Sequence, residues 1–187
     1  MRLAVGLAAA CALIPAVAQT ASTQSPGIEA ALLARANAGD AAAQVQVGET
    51  YAAGKDVAQD YAQAAAWYRK AAEKGDICGQ IHLAVLYRDG GKHFPRDMAQ
   101  AAAWYRKAAE LGDAGAQGTL GVLYSMGQGV PHDDVEAYYW LDLAASAPGP
   151  NQEKCAANRQ MIGTHITADE LEAVQDRVAQ WKAAHPR

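Results

Sequence analysis

Apolar residues in the middle of the chain recur with the period of an α-helix. In the first such segment they are Ala64, Trp67, Tyr68, Ala71 and Ala72. The spacing i, i+3, i+4, i+7, i+8 places them on one stripe of a helix, with polar and charged residues on the other faces. The pattern therefore predicts an amphipathic helix that buries this stripe.

This helix belongs to a segment that is repeated along the chain. Residues 60–76 return almost letter for letter at 97–113, and a weaker third copy spans 133–149. The two strong copies differ only at Tyr61/Met98 and Lys74/Leu111. One Trp marks each copy, at Trp67, Trp104 and Trp140, spaced 37 and 36 residues apart. A fixed period of this length is typical of a stacked solenoid.

Each repeat is predicted to be a pair of helices. The full units span 41–76, 77–113 and 114–149. Residues 28–40 look like half a unit and are predicted to form an N-terminal capping helix, while residues 150–187 are predicted to form C-terminal capping helices, since terminal repeats must seal the core. The sequence thus predicts an all-α fold, a right-handed α-solenoid of stacked antiparallel helix pairs.

The ends of the helices are also marked in the sequence. Each second helix is preceded by an Asp with Gln or Glu three residues later, the spacing of a capping box: Asp60/Gln63, Asp97/Gln100 and Asp133/Glu136. Gly75 and Gly112 are placed to end second helices in the left-handed conformation. One small residue in each first helix is predicted to allow close helix approach: Gly48, Ala84 and Gly121.

The N-terminus has the composition of a secretory signal peptide. Residues 1–18 place Arg2 before a short apolar run and end in Ala-Val-Ala, a small-residue cleavage pattern. The run is too short to span a membrane as a helix. We therefore expect cleavage before Gln19, a flexible linker over residues 19–27, and export to a bacterial periplasm. The alternative is a lipoprotein anchored at Cys11, because the residues before it resemble a lipobox.

Composition and motifs narrow the classes of function. The formal net charge is −4, and no basic face indicates a nucleic-acid binder. No Ser-x-x-Lys, His-Glu-x-x-His, Gly-x-Ser-x-Gly or P-loop pattern occurs, so we predict no catalysis and no cofactor. His93 and His132 fall in equivalent loops. A metal site there is the alternative to solvated loop histidines, which we favour.

Cys78 and Cys155 are predicted to be unpaired. Cys78 begins the second unit and Cys155 follows the third. Packed helices lie about 8–10 Å apart, so the stacking separates the two by about 20 Å or more. A disulfide needs Cα atoms within about 7 Å. The sequence therefore favours two free thiols, or an intermolecular link if they are exposed.

Several of these motifs resemble those of a known family. Residues 67–72 read WYRKAA and are followed by Gly75-Asp76, and residues 127–130 read GQGV before Asp133. In these the chain resembles the Sel1-like repeat family, a relative of the tetratricopeptide repeats, over about residues 41–149. The resemblance implies an adaptor or regulator that binds other proteins. Because some secreted members have been associated with penicillin binding or β-lactam hydrolysis, a hydrolase or binder of a cell-wall or β-lactam substrate is the alternative.

The predicted binding surface is the concave side of the superhelix, which the first helix of each unit lines. Positions that vary between units are free to specify a ligand: Gln46, His82, Thr119, Glu49, Val85, Val122, Ala53, Asp89 and Met126. They predict a groove on a monomeric chain, polar at one end and more apolar toward the third unit. Such a groove suits an extended or helical segment of a protein partner. The alternative is a solvated wall without a ligand.

Overall fold

The computed structural model describes residues 27–185, which form nine α-helices. The helices are α1 (Ala30–Asn37), α2 (Ala41–Ala53), α3 (Tyr61–Ala72), α4 (Ile77–Asp89), α5 (Met98–Glu110), α6 (Ala114–Met126), α7 (Asp134–Ala145), α8 (Gln152–Ile162) and α9 (Ala168–Ala184). None of these nine is long and apolar enough to cross a lipid bilayer. The predicted signal peptide, Cys11 and all but the last residue of the predicted linker lie outside the described residues.

The helices stack as neighbours in chain order. Helix α2 packs on α3, α4 on α5 and α6 on α7, and each of these pairs packs on the next. Helix α1 covers the first pair, while α8 and α9 both pack on α7. The arrangement confirms the predicted all-α solenoid of helix pairs.

The first helix of each repeat begins at an aspartate. The carboxylates of Asp40, Asp76 and Asp113 accept hydrogen bonds from backbone amides three residues later, at 3.0, 2.7 and 2.7 Å. Each Asp follows a glycine with positive φ, namely Gly39, Gly75 and Gly112. The predicted left-handed ends of the second helices are confirmed at Gly75 and Gly112. One Gly-Asp pair thus ends one helix and begins the next.

The second helices are capped more simply than predicted. Asp60, Asp97 and Asp133 accept from the backbone amides of Gln63, Gln100 and Glu136 at 2.9, 3.0 and 2.9 Å. The reciprocal half of the predicted capping box is not formed at these three sites within residues 27–185. Glu136 instead accepts a 2.6 Å hydrogen bond from Arg177 of α9, because a cation is a stronger partner than the cap amide. The complete box joins Thr167 and Glu170 at the start of α9.

Close helix packing depends on the small residues of the first helices. A Cβ atom on Gly121 would lie 2.7 Å from Leu141 Cγ and 3.0 Å from the carbonyl oxygen of Ala137. A Cβ on Gly48 would lie 2.6 Å from the Tyr68 ring. Real contacts of this kind are longer, so only a residue without a side chain fits there. The predicted close approach is confirmed at Gly48 and Gly121, and Ala84, at the same position of the second repeat, is fully buried.

A buried glutamine joins each repeat to the unit before it. The Nε2 atoms of Gln44, Gln80 and Gln117 donate to the carbonyl oxygens of Ala36, Ala72 and Ala109 at 3.0, 3.3 and 3.1 Å. The three side chains are at most 4 % exposed. Each of these carbonyls also accepts from the backbone amide of the glycine that follows the helix, so the glutamine is a second donor, and it comes from the next repeat. These glutamines therefore hold the repeats in register.

Candidate interaction face

The nine variable positions predicted as a binding surface all reach solvent. Gln46, Glu49, Ala53, Asp89 and Met126 are exposed, and His82, Val85, Thr119 and Val122 are half-buried. By contrast, the glutamine shared by all three first helices is buried in each of them. We call the surface formed by these nine residues the first-helix face. Its accessibility is compatible with binding, and binding itself stays a prediction.

Two of the nine residues meet between the first and second repeats. His82 Nε2 lies 3.3 Å from Glu49 Oε1, and the imidazole stacks on Tyr68 with ring centroids 5.0 Å apart. Burial raises the pKa of Tyr68 to about 12, and the negative charge of Glu49 adds to the shift. Tyr68 is therefore neutral at physiological pH. The His82 imidazole therefore stacks on a flat, uncharged ring.

Grooves open at three places along the first-helix face. The first lies against α1 and α2 and includes Leu32, Gln46, Glu49 and Ala53. The second, which we call the repeat 2/3 cleft, lies between α4, α5 and α6 and includes Arg88, Asp89, Arg96, Met98, Thr119 and Val122. The third lies between α6 and α8 and includes Thr119, Val122, Lys154 and Cys155. Among the nine predicted residues, His82, Val85 and Met126 lie outside these three grooves.

Charged side chains line one wall of the repeat 2/3 cleft. Arg88 donates to both carboxylate oxygens of Asp89 at 2.7 and 2.9 Å, and to the hydroxyl of Tyr105 at 3.2 Å. The hydrogen bond from Arg88 lowers the pKa of the Asp89 carboxyl, and the charge of Arg96 lowers it further. Asp89 is therefore ionised and already paired. The exposed Arg96 guanidinium has no hydrogen bond or ion pair with any described residue.

The structure adds residues to the face that the sequence prediction missed. Arg96 precedes the cap of α5 and Met98 is the first residue of that helix, so neither belongs to a first helix. The prediction considered first helices alone and left them out. A signal was present in the sequence, because Met98 is one of the two positions at which the near-identical copies differ.

Histidines and a carboxylate meet at the start of α7 without forming a metal centre. His132 Nε2 lies 3.3 Å from one oxygen of Asp134, and His165 Nδ1 lies 3.4 Å from the other. Across residues 27–185, no group of three or more His, Cys, Asp or Glu side chains is arranged to hold a metal ion. The loop residue His93 is exposed and is not part of this contact.

Both cysteines of the described chain are free thiols. Cys78 is exposed and Cys155 is buried. Cys155 packs closely on Gly118, where a Cβ atom would lie 2.7 Å from its Sγ. Burial raises the pKa of the Cys155 thiol, so it is protonated at neutral pH and is not an activated nucleophile.

Comparison with known proteins identifies the repeats. The family model described as Sel1 repeat matches residues 41–76, 79–113 and 114–148. A solved Sel1 repeat protein from Oxalobacter formigenes is 33% identical with a TM-score of 0.59, over 66% of this chain and 92% of that chain. The solved protective antigen c5321 of uropathogenic Escherichia coli, which displays an SLR fold, is 24% identical with a TM-score of 0.44, over 81% of this chain and 47% of that chain. A search of curated proteins found no match.

Proposed function

The chain belongs to the Sel1 repeat family, and on that premise we propose that it is a periplasmic adaptor that binds a protein partner through the first-helix face. Sel1 repeat proteins generally mediate protein–protein interaction and are typically non-catalytic. The Cys155 thiol, with its raised pKa, lends no support to the alternative of a hydrolase acting on a cell-wall or β-lactam substrate.

The observation that carries this proposal is the contrast between shared and variable positions on the first helices. The glutamine common to all three is buried and holds the stack together. The nine predicted residues, three on each first helix, all reach solvent, and six of them line the three grooves. Packing does not dictate the identities of the five exposed residues, which can therefore differ according to the ligand, whereas Val85 and Val122 also pack against the core.

The test is capture of a partner from a periplasmic extract, followed by the triple variant Glu49→Ala, His82→Ala, Met126→Ala. We expect the triple variant to bind the captured partner at least roughly tenfold more weakly, since it removes accessible side chains from both ends of the face. The dissociation constant measured by isothermal titration calorimetry checks this expectation.

The matched control is a triple variant on the second helices: Gln63→Ala, Glu73→Ala and Glu110→Ala. These side chains are exposed and lie outside the first-helix face. The control should bind the partner as tightly as the parent chain. Equal affinity of the first-helix variant and the parent, with both folded by circular dichroism, would place the binding site elsewhere.

The periplasmic location rests on the sequence of residues 1–18 alone. A fusion of the first 25 residues to a reporter that is active only outside the cytosol is expected to be active in a bacterial host. N-terminal sequencing of the exported protein should begin at Gln19. The matched control replaces Leu13 by Arg, which interrupts the apolar run. An inactive parental fusion would contradict export, and a lipid on Cys11 would support the lipoprotein alternative.

A further inference from the structure

The gap between the first and second repeats and the gap between the second and third are built from nearly identical helices. The two gaps nevertheless differ in shape. In the first gap, the Tyr61 ring fills the space beside α4: a Cβ atom on Gly91 would lie 2.3 Å from it. In the second gap, Met98 occupies the position equivalent to Tyr61, and Gln128 occupies the position equivalent to Gly91. The flat ring is thus replaced by a flexible, narrower side chain.

A second exchange changes the side chains that line the same gap. In the first gap, His82 stacks on Tyr68 and covers it. In the second gap, the equivalents are Thr119 and Tyr105, and the small Thr119 side chain cannot reach across in the same way. The repeat 2/3 cleft, with an open volume of about 490 Å³, lies where these exchanges meet. The apolar residues of its lining, which we call the apolar floor, are Met98, Val122 and Leu123.

The two gaps also differ in the charge of the residues beside them. Three residues beside the first gap are uncharged: Ala52, Ala53 and Gln59. Their equivalents beside the second gap are charged: Arg88, Asp89 and Arg96. Arg88 and Asp89 neutralise one another through their paired hydrogen bonds. Arg96 forms no ion pair within residues 27–185, and its charge acts on Asp89 only at longer range. The wall of the cleft is therefore locally positive in a chain whose formal net charge is −4.

We infer that the repeat 2/3 cleft holds an acidic side chain of an extended protein segment, with an aliphatic neighbour of that side chain on the apolar floor. This rests on the proposed function and names the feature of the partner that is recognised. Arg96 presents its unpaired guanidinium, whose planar fork suits a carboxylate. Met98, Val122 and Leu123 supply the apolar contacts for that neighbour, and Met adapts readily to its contacts.

The test begins with a phage-displayed library of random peptides selected on the full chain. Binders are expected to carry Asp or Glu next to Leu, Ile, Val or Met. An enriched peptide is then synthesised with an amidated C-terminus, together with a copy in which Gln or Asn replaces the acidic residue. By fluorescence anisotropy, the copy should bind at least roughly tenfold more weakly, because it lacks the charge that Arg96 recognises.

The protein variants exchange residues between equivalent positions. Arg96→Gln introduces the residue found at position 59 and should weaken binding at least roughly tenfold. Met98→Tyr introduces the residue found at position 61 and should close the cleft, abolishing detectable binding. Gln59→Ala, at the exposed equivalent of Arg96, is the matched control and should leave affinity unchanged. Because Arg96 is exposed, its variant is expected to fold even if Met98→Tyr does not.

Three outcomes overturn the inference: no binder that depends on Arg96 and Met98, enriched peptides without acidic residues, or binding that requires a free C-terminal carboxylate. These results are separable from failure of the proposed function. A captured partner that is lost by the Glu49, His82, Met126 triple variant but retained by Arg96→Gln and Met98→Tyr leaves the first-helix face as the binding surface. It rejects the cleft as the site of acidic recognition.

Discussion

Replacement of Trp104 by alanine is expected to destabilise the chain by about 3–5 kcal/mol, the usual cost of removing a large aromatic side chain from a core. Trp104 is 8% exposed and lies in the main core cluster, which runs through all three repeats. The Nζ atom of Lys107 lies 3.9 Å from its ring centroid, so a cation–π contact is lost as well. A single domain is stable by about 5–15 kcal/mol, so this loss is large. A strong fall in the midpoint of urea unfolding checks it.

The matched control lies at the end of the same repeat. Leu111→Lys introduces the residue found at the equivalent position 74, and Leu111 is 51% exposed. Its effect should stay within about 0.5 kcal/mol, as for surface substitutions in general.

Trp67→Ala is expected to act more locally, because Trp67 belongs to the small cluster that joins α1 to the first repeat. An unchanged midpoint for Trp104→Ala would contradict the described core.

Replacement of Asp142 by arginine is expected to detach the C-terminal helices at a cost of about 2–3 kcal/mol. In the first two repeats the equivalent residues are Arg69 and Arg106, which donate to tyrosine hydroxyls of the following repeat. Asp142 instead accepts from Arg159 of α8 and lies 3.8 Å from the Lys182 ammonium of α9.

This cost follows from the position of Asp142 at the end of the array. Its side chain is only 15% exposed, so an arginine there would bring three cations together at a site partly shielded from water. Removing one partner of a buried ion pair costs about 3–5 kcal/mol, and we discount this because both cations are partly exposed. Limited proteolysis should release a fragment containing α8 and α9, and urea unfolding should give the size of the loss.

The controls for Asp142→Arg separate the local contact from net charge. Glu153→Arg makes the same change of charge on the exposed face of α8 and should lower the midpoint by much less, since an acidic residue in the first turn of a helix contributes only about 0.3–1 kcal/mol. The double variant Asp142→Arg, Arg159→Asp restores an opposite-charge pair and should recover part of the loss. Equal stability of Asp142→Arg and the parent chain would show that the ion pairs do not hold the capping helices.

The sequence predicted contacts between neighbouring residues better than contacts between residues far apart in the chain. The Gly-Asp pairs that separate the units predicted the helix ends correctly at Gly75 and Gly112, because capping involves residues only a few positions apart. At Asp133 and Glu136 the Asp half of the predicted capping box is confirmed and the Glu half is wrong, because Arg177 on α9, far along the chain, binds the glutamate. The reciprocal bond is also absent at Gln63 and Gln100, where no described residue competes, so spacing alone did not determine that half of the motif.

The candidate site shows the same division. The sequence by itself determined the solenoid, since a repeated amphipathic stripe can be buried only by stacking one copy on the next, and it identified the variable first-helix positions. Only the tertiary structure decided which of them meet: Glu49 contacts His82, whereas Thr119 and Val122 share a cleft with Arg96 and Met98. The physical reason is that a cleft between repeats is formed by side chains from two units and their loops. Its shape therefore depends on how exchanges at separate positions combine, such as Tyr61 with Met98 and His82 with Thr119.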